Sequence, residues 1–298
     1  SSGISSEASA VILLAFVMGL GVASANPGDP SEERVETVEL TPEGIPVHLV
    51  KAASEAAGLP LWQRMRDISQ PMKGTPYRVD PIGEGRGPDA DPLTRYDVFD
   101  CLTFVEEVLA LVLPSDPRRA EEIRTALRYG PSGEISYENR NHFMLHQWIP
   151  HNISNGLLVD ITGELGDPLP MNKAVQTSTW TRWKSRPRFH LSDSQFPTGQ
   201  YLLDVLPLDQ ALAAMDDIPA GALILTVREN RSYVPIVVTH IGFVVPTADP
   251  QRPLIRHATK MGSQPRVRDD FLDWYFEHLQ NYKYWKVAGV VVLMPQEL

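Results

Sequence analysis

One cysteine and two histidines carry the chemistry that this sequence could perform. Cys101 is the only Cys in 298 residues and sits in RYDVFDCLTFVEEVLALVL, while His240 interrupts IVVTHIGFVV and His257 interrupts PLIRHAT. A thiol is a nucleophile only as thiolate, and its free pKa of about 8.5 falls at a helix N-terminus or beside an imidazolium. Phe104, Val105, Val108, Leu109 and Val112 recur at helical spacing, with Asp97 or Asp100 available to cap, so Cys101 is expected in the first turn of an amphipathic helix that stops at Pro114. The histidines supply the base. The implied reaction is acyl transfer: the Cys101 thiolate attacks an amide carbonyl, His240 shuttles the proton, His257 orients His240 through its second ring nitrogen, and a backbone N–H at the helix start holds the oxyanion. Neither a metal nor another cofactor is required.

Strand alternation places Ile236, Val238, His240, Gly242 and Val244 on one face, and Ile255, His257 and Thr259 on one face of the next strand. The short link Pro246 to Arg252 makes the two strands antiparallel neighbours, so both imidazoles are expected on the face that receives the Cys101 helix, with Gly242 leaving space beside the ring. Each residue has a plainer reading. A lone helical Cys is often a small buried hydrophobe, and a histidine among apolar residues is often a satisfied core group. His142 and His146 lie four apart, but the zinc-protease pattern needs Glu directly after the first His and Phe143 stands there; they read as surface or structural.

The elements that must position these residues follow from the pattern. Val47 to Gly58 and LWQRMRDIS from Leu61 read as helices, and a long turn-rich loop runs from Gly74 to just before Arg95. Residues 155 to 200 read as irregular. Ala222 to Val227, Ile236 to Val245, Pro253 to Thr259 and Val287 to Met294 are short, Val- and Ile-rich runs, expected as strands of a largely antiparallel sheet. Helices first and strands later give an α+β fold with helices packed on the sheet.

The N-terminal stretch is of another kind. Ala10 to Val22 is an unbroken run of apolar residues and Gly, ending in Ala23-Ser24-Ala25, which reads as a secretory signal over residues 1–25. The run is shorter than a membrane span needs. Residues 26–45 are expected as a flexible leader and 46–298 as a single catalytic domain. The chain carries 27 basic and 37 acidic side chains, net −10; loss of residues 1–25 removes only Glu7. That balance argues against nucleic acid as a partner and gives no attraction to anionic lipid. After signal removal no stable membrane insertion is expected, and the exported chain would act in the periplasm or elsewhere outside the cytoplasm. The most basic stretch, TRWKSRPRFH, carries Arg182, Lys184, Arg186 and Arg188. It reads as the solvated face of an edge strand, or functionally as a contact to an acidic ligand.

At Gly74-Thr75-Pro76-Tyr77, Phe99-Asp100-Cys101, Thr239-His240-Ile241-Gly242 and His257-Ala258, the chain resembles the NlpC-type papain-like cell-wall cysteine peptidases. It is similar above all to their N-acetylmuramoyl-L-alanine amidase-like branch, through Asp-Cys-Leu-Thr-Phe-Val-Glu, Arg140 with His142-Phe143, and the stretch Asn155 to Thr162. The likeness spans about residues 60 to 294. It implies a papain-like fold with the nucleophile helix on a mostly antiparallel sheet, N-terminal helices and a long insertion, and a Cys101, His240, His257 triad. It also implies that Tyr77 assists near the oxyanion or bound peptide, although it lies 24 residues before Cys101, and that Asp100 binds the substrate amine. Leu102 replaces the small residue that often follows the nucleophile, with Thr103 as a substitute. The expected substrate is a murein amide, either the N-acetylmuramoyl-L-alanine bond or one within the stem peptide, with Arg140 and Trp148 as further contacts. The alternatives are a non-catalytic murein-binding protein that keeps the fold, and a metal-dependent amidohydrolase using His142, His146 or the strand pair.

Overall fold

The computed structural model describes residues 38–249 and 251–298. The signal segment 1–25 and leader residues 26–37 lie outside the described residues. Residues 38–45 form a turn in which Leu40 bridges Pro46, and Ile45 is buried in the core. Among the described residues no helix is long and apolar enough to cross a membrane.

The predicted helices form at the expected places: α1 Val47–Ala56, α2 Leu61–Ser69 and α3 Cys101–Val112. A fourth, α4 Ala120–Arg128, follows, and short helices α5 Ile149–Ser154, α6 Thr177–Arg182 and α7 Leu208–Ala213 precede α8 Leu272–Gln280. The strands are β1 Leu158–Asp160, β2 Leu169–Val175, β3 Gly199–Pro207, β4 Leu223–Arg228, β5 Val238–Val245, β6 Leu254–Thr259, β7 Arg266–Phe271 and β8 Val287–Pro295. They build one sheet in the order β2-β3-β8-β4-β5-β6-β7, with β1 also against β8. Every strand pair is antiparallel. The result is a mixed α/β fold on an antiparallel sheet.

Helices cover both faces, which is why β4 and β8 read as continuous apolar runs rather than alternating ones. One face carries Leu225, Ile241, Phe243, Ala258 and Val291 into the core with α1 to α4. The other carries Ile224, Val244, Ile255 and Val292 into a second core with α7 and α8. Phe104 of α3 stacks on Phe243 at 5.7 Å between ring centroids, fixing α3 on the first face.

Two expectations fail in the insertion. Residues 155–200 are not irregular, since they hold β1, β2, α6 and the start of β3. The basic stretch is not an edge strand: it forms the end of α6 and a 3-10 turn at Arg186–Arg188. Its alternate aromatics are taken up by a satellite core of Tyr137, Phe143, Val175, Trp180, Leu191 and Phe196, onto which Trp183 and Phe189 pack.

Candidate active site

Asp100 holds the start of α3. Its Oδ1 accepts the Leu102 and Thr103 N–H groups at 3.1 and 2.8 Å, while the Thr103 hydroxyl accepts the Asp100 N–H at 3.0 Å. This reciprocal cap satisfies orphan donors of the first turn. Its other carboxylate oxygen accepts the Asp80 N–H at 3.2 Å. Asp100 and Thr103, expected as substrate contacts, therefore have their polar groups committed to the helix, although both line the neighbouring cavity.

Cys101 follows the cap and is partly exposed. The helix start was expected to lower the thiol pKa, but burial of the sulfur wins: burial, then the Asp100 charge, push the thiol up to about 12, against the backbone N–H groups of Ile241, Cys101 and Leu102. The Ile241 contact places the sulfur against β5, one residue from His240. Along β5 the Val244 N–H donates to the carbonyl of Ala222, just before β4, so odd-numbered amides point to the opposite edge. There β6 pairs only with Phe243 to Val245, and the Ile241 N–H is left to the sulfur.

His240 and His257 meet. His240 Nε2 lies 2.9 Å from His257 Nδ1, and His257 Nε2 lies 3.0 Å from Asp270 Oδ2 on β7. The same oxygen accepts Arg268 Nε and Nη2 at 3.0 and 2.8 Å. These contacts fix the neutral tautomers: Asp270 accepts, so His257 carries its proton on Nε2 and offers Nδ1 as acceptor. His240 then donates through Nε2 and keeps a lone pair on Nδ1. Burial, followed by the charges of His257 and Arg228, holds His240 well below the ordinary imidazole range. Burial also lowers His257, against the opposing pull of Asp270. Burial alone would raise Asp270, but its hydrogen bonds and charge pairs with His257 and Arg268 hold it low.

The imidazoles occupy the sheet face opposite to the expected one. Both stand near Tyr275 of α8, at 6.3 and 5.5 Å between ring centroids, whereas α3 packs on the other side. On β5 a β-bulge separates His240 from the residues before it: Thr226 pairs with His240 but Val227 pairs with Val238, leaving Thr239 as the extra residue. Alternation breaks there, so Val238 joins Ile241 in the first core and does not share the face of His240. Among the described residues no hydrogen bond joins Cys101 Sγ to His240; the sulfur reaches β5 from the gap beside Ile241. Gly242 does leave space, but for His257, whose Cβ would lie 2.8 Å from an added methyl.

Tyr77 is brought to this end of α3 despite its distance in sequence. It bridges Phe99 in parallel, and burial followed by the charges of Cys101 and Asp100 pushes its phenol above the ordinary range. Trp148 is not a surface contact: it is fully buried, and its Nε1 donates to Glu106 at 2.9 Å. Arg140 is also consumed internally, by Glu84 at 2.8 Å and Asp89 at 3.0 Å, where it clamps the 80–91 loop. His142 is half-buried and His146 buried, and both serve the structure. His142 bonds the Tyr137 carbonyl at 2.7 Å, and His146 is buried against Tyr201 with both ring nitrogens unbonded. Among the described residues no group of three or more His, Cys, Asp or Glu side chains is placed to hold a metal ion.

A family model described as AmiA-like, N-acetylmuramoyl-L-alanine amidase-like, matches residues 67–281. The chain belongs to this family. The matched segment of this AmiA-like chain contains Cys101, His240, His257 and Asp270. Solved structures share its fold. A Legionella pneumophila protein of the family model DUF1460 is 23% identical, with a TM-score of 0.71 over 83% of this chain and 93% of the other. An N-acetylmuramoyl-L-alanine amidase from Bacteroides uniformis is 21% identical, with a TM-score of 0.62 over 81% and 99%. A Bacteroides fragilis protein labelled a candidate xylanase is 21% identical, with a TM-score of 0.58 over 74% and 96%. At such identities the likeness is one of fold. No curated protein matches the chain.

Proposed function

We propose that this AmiA-like protein is a papain-like cysteine amidase that hydrolyses an amide bond of peptidoglycan outside the cytoplasm. The observation that carries the reading is the relay Asp270–His257–His240, whose hydrogen bonds leave His240 Nδ1 as a free base at the strand against which the Cys101 sulfur lies.

In the resting site the thiol and the imidazole are both neutral, because burial disfavours each charged form. On this reading the proton moves as the bond forms. Cys101 Sγ–H gives its proton to His240 Nδ1 while sulfur bonds the amide carbon, and closing the Sγ-to-Nδ1 distance is part of substrate binding. The C–N bond breaks as His240 returns the proton to the leaving nitrogen, giving a thioester. Water, deprotonated by His240, then releases the acid and restores the thiol. The Cys101 N–H, which among the described residues donates to no backbone or side-chain oxygen, holds the oxyanion. His257 and Asp270 keep the ring in its working tautomer and stabilise the imidazolium. Family membership supports the N-acetylmuramoyl-L-alanine bond as the target, and the apolar run Ala10 to Val22 supports export.

The test is mass spectrometry of defined muropeptides incubated with wild-type protein, Cys101→Ser and Cys101→Ala. Cleavage by wild type alone, at one amide bond, is the expected result. Full cleavage by Cys101→Ala would end the cysteine mechanism.

A further inference from the structure

The cavity beside the first turn of α3 carries both acidic and basic side chains on its lining, and one of its cations lacks a protein partner. Its volume is about 390 Å³, and Asp80, Asp100, Thr103 and Ile236 line it together with Trp183, Arg188 and Phe189. Two further guanidinium groups on the lining are already consumed, Arg128 by Glu106 and Glu107 and Arg140 by Glu84 and Asp89. Arg188 is exposed and, among the described residues, forms no ion pair or hydrogen bond through its side chain. Of the four basic residues in the 182–188 stretch, it alone lines the cavity.

The segment that presents Arg188 is fixed. Trp180 is buried in the satellite core, Arg186 is paired with Asp193 and lies 5.0 Å over the Phe196 ring, and Trp183 stacks on Phe189 at 5.7 Å. Little side-chain freedom beyond that of Arg188 itself remains to be lost on binding. A planar fork of donors facing a cavity, beside an aromatic wall, recognises a carboxylate carried on an aliphatic stem. Asp80 and Asp100 on the lining keep a second carboxylate away from their own side and so set polarity.

We propose that Arg188, with the Trp183–Phe189 wall, forms a subsite for a carboxylate of the peptide part of the substrate. It rests on the amide-hydrolase reading and deepens it, because it makes the peptide rather than the sugar the portion read by the insertion. The test uses two synthetic N-acetylmuramoyl dipeptides that differ only in a free carboxylate against a carboxamide. Wild type should favour the acid by about 10- to 100-fold in kcat/KM, mainly through KM, the range of a lost charged hydrogen bond. Arg188→Gln should lose that preference, Arg188→Lys should recover part of it, and Lys184→Gln, outside the cavity, should keep it. Hydrolysis with no preference in wild type, or a preference retained by Arg188→Gln, overturns the subsite and leaves the hydrolase reading standing. If wild type cleaves neither compound, the hydrolase reading fails and the subsite is decided by tryptophan-fluorescence titration of Cys101→Ala with the same pair. Binding at least tenfold tighter for the acid and lost in Cys101→Ala/Arg188→Gln upholds it; equal or undetectable binding of the acid overturns it.

Discussion

Replacing Asp270 by Asn asks whether the relay works by ordering tautomers, and Arg268 decides the answer. In the native site Asp270 Oδ2 accepts from His257 Nε2 at 3.0 Å and from Arg268 Nε and Nη2 at 3.0 and 2.8 Å. In Asp270→Asn the guanidinium still demands an oxygen at that point, since turning the amide would set N–H against N–H and forfeit a charged hydrogen bond of about 1.5–3 kcal/mol. His257 therefore keeps its Nε2 proton, and His240 Nδ1 stays free. What is lost is the carboxylate charge, about 1–1.5 kcal/mol when a charge-assisted bond becomes neutral, or roughly tenfold in kcat. Adding Arg268→Met releases the amide to donate to His257 Nε2, which inverts both rings and puts a proton on His240 Nδ1. A wrong tautomer in a nucleophile–histidine–carboxylate site costs up to about 10⁴, so the double variant should fall by roughly 10² to 10⁴. The assay is kcat and KM on one defined muropeptide, with thermal melts to show that each variant is folded. A folded Asp270→Asn that loses 10³ or more by itself, or a double variant no worse than the single, refutes the tautomer argument.

Because burial pushes the Cys101 thiol up to about 12, iodoacetamide should modify the resting protein slowly at pH 7, with a rate rising about tenfold per pH unit toward that value; a plateau below pH 8 would mean that the imidazole already holds the proton. Gly242→Ala puts a methyl 2.8 Å from His257 Cβ and 3.0 Å from the Arg256 carbonyl oxygen, so urea unfolding should show a loss of about 1–3 kcal/mol together with lower activity at unchanged Cys101 content. Glu107→Ala leaves the buried Arg124 without its carboxylate and Arg128 with Glu106 alone, and a loss of about 3–5 kcal/mol is expected by the same measurement. Burial would raise Glu107, yet the two arginines hold it below its ordinary value near 4.5. Its contribution is therefore present above that value and fades as pH falls through the lower native one; acid titration of stability should be flatter in Glu107→Ala than in wild type.

The α3 helix and strands β4, β5, β6 and β8 were legible because their apolar spacing is unambiguous, and with them the places of Cys101, His240 and His257 in the fold. The strand β7 was not, since RVRDDF looks like polar loop. Its charges instead serve neighbouring residues on β6, Asp269 pairing with Arg256 and Asp270 with His257, so the last member of the relay was hidden in the strand least like one. Trp148 and Arg140 misled in the opposite direction: residue types that often contact ligands are here the buried partners of Glu106 and Glu84. No local signal marks the bulge at Thr239, because the pairing that creates it lies on β4. The bulged Thr239 itself accepts through Oγ1 from Arg228 on that strand, a contact only the folded register reveals.

That bulge also insulates the imidazole from the chain that precedes it. A regular ladder transmits a one-residue slip along its whole length and turns every side chain over; an extra residue already accommodated at Thr239 offers a place where such a slip can stop. The connection between Arg228 and Val238 can then change length or be remodelled toward new ligands, while His240 stays in phase with His257 from Gly242 onward. A scaffold with this joint separates the evolution of its rim from the upkeep of its chemistry.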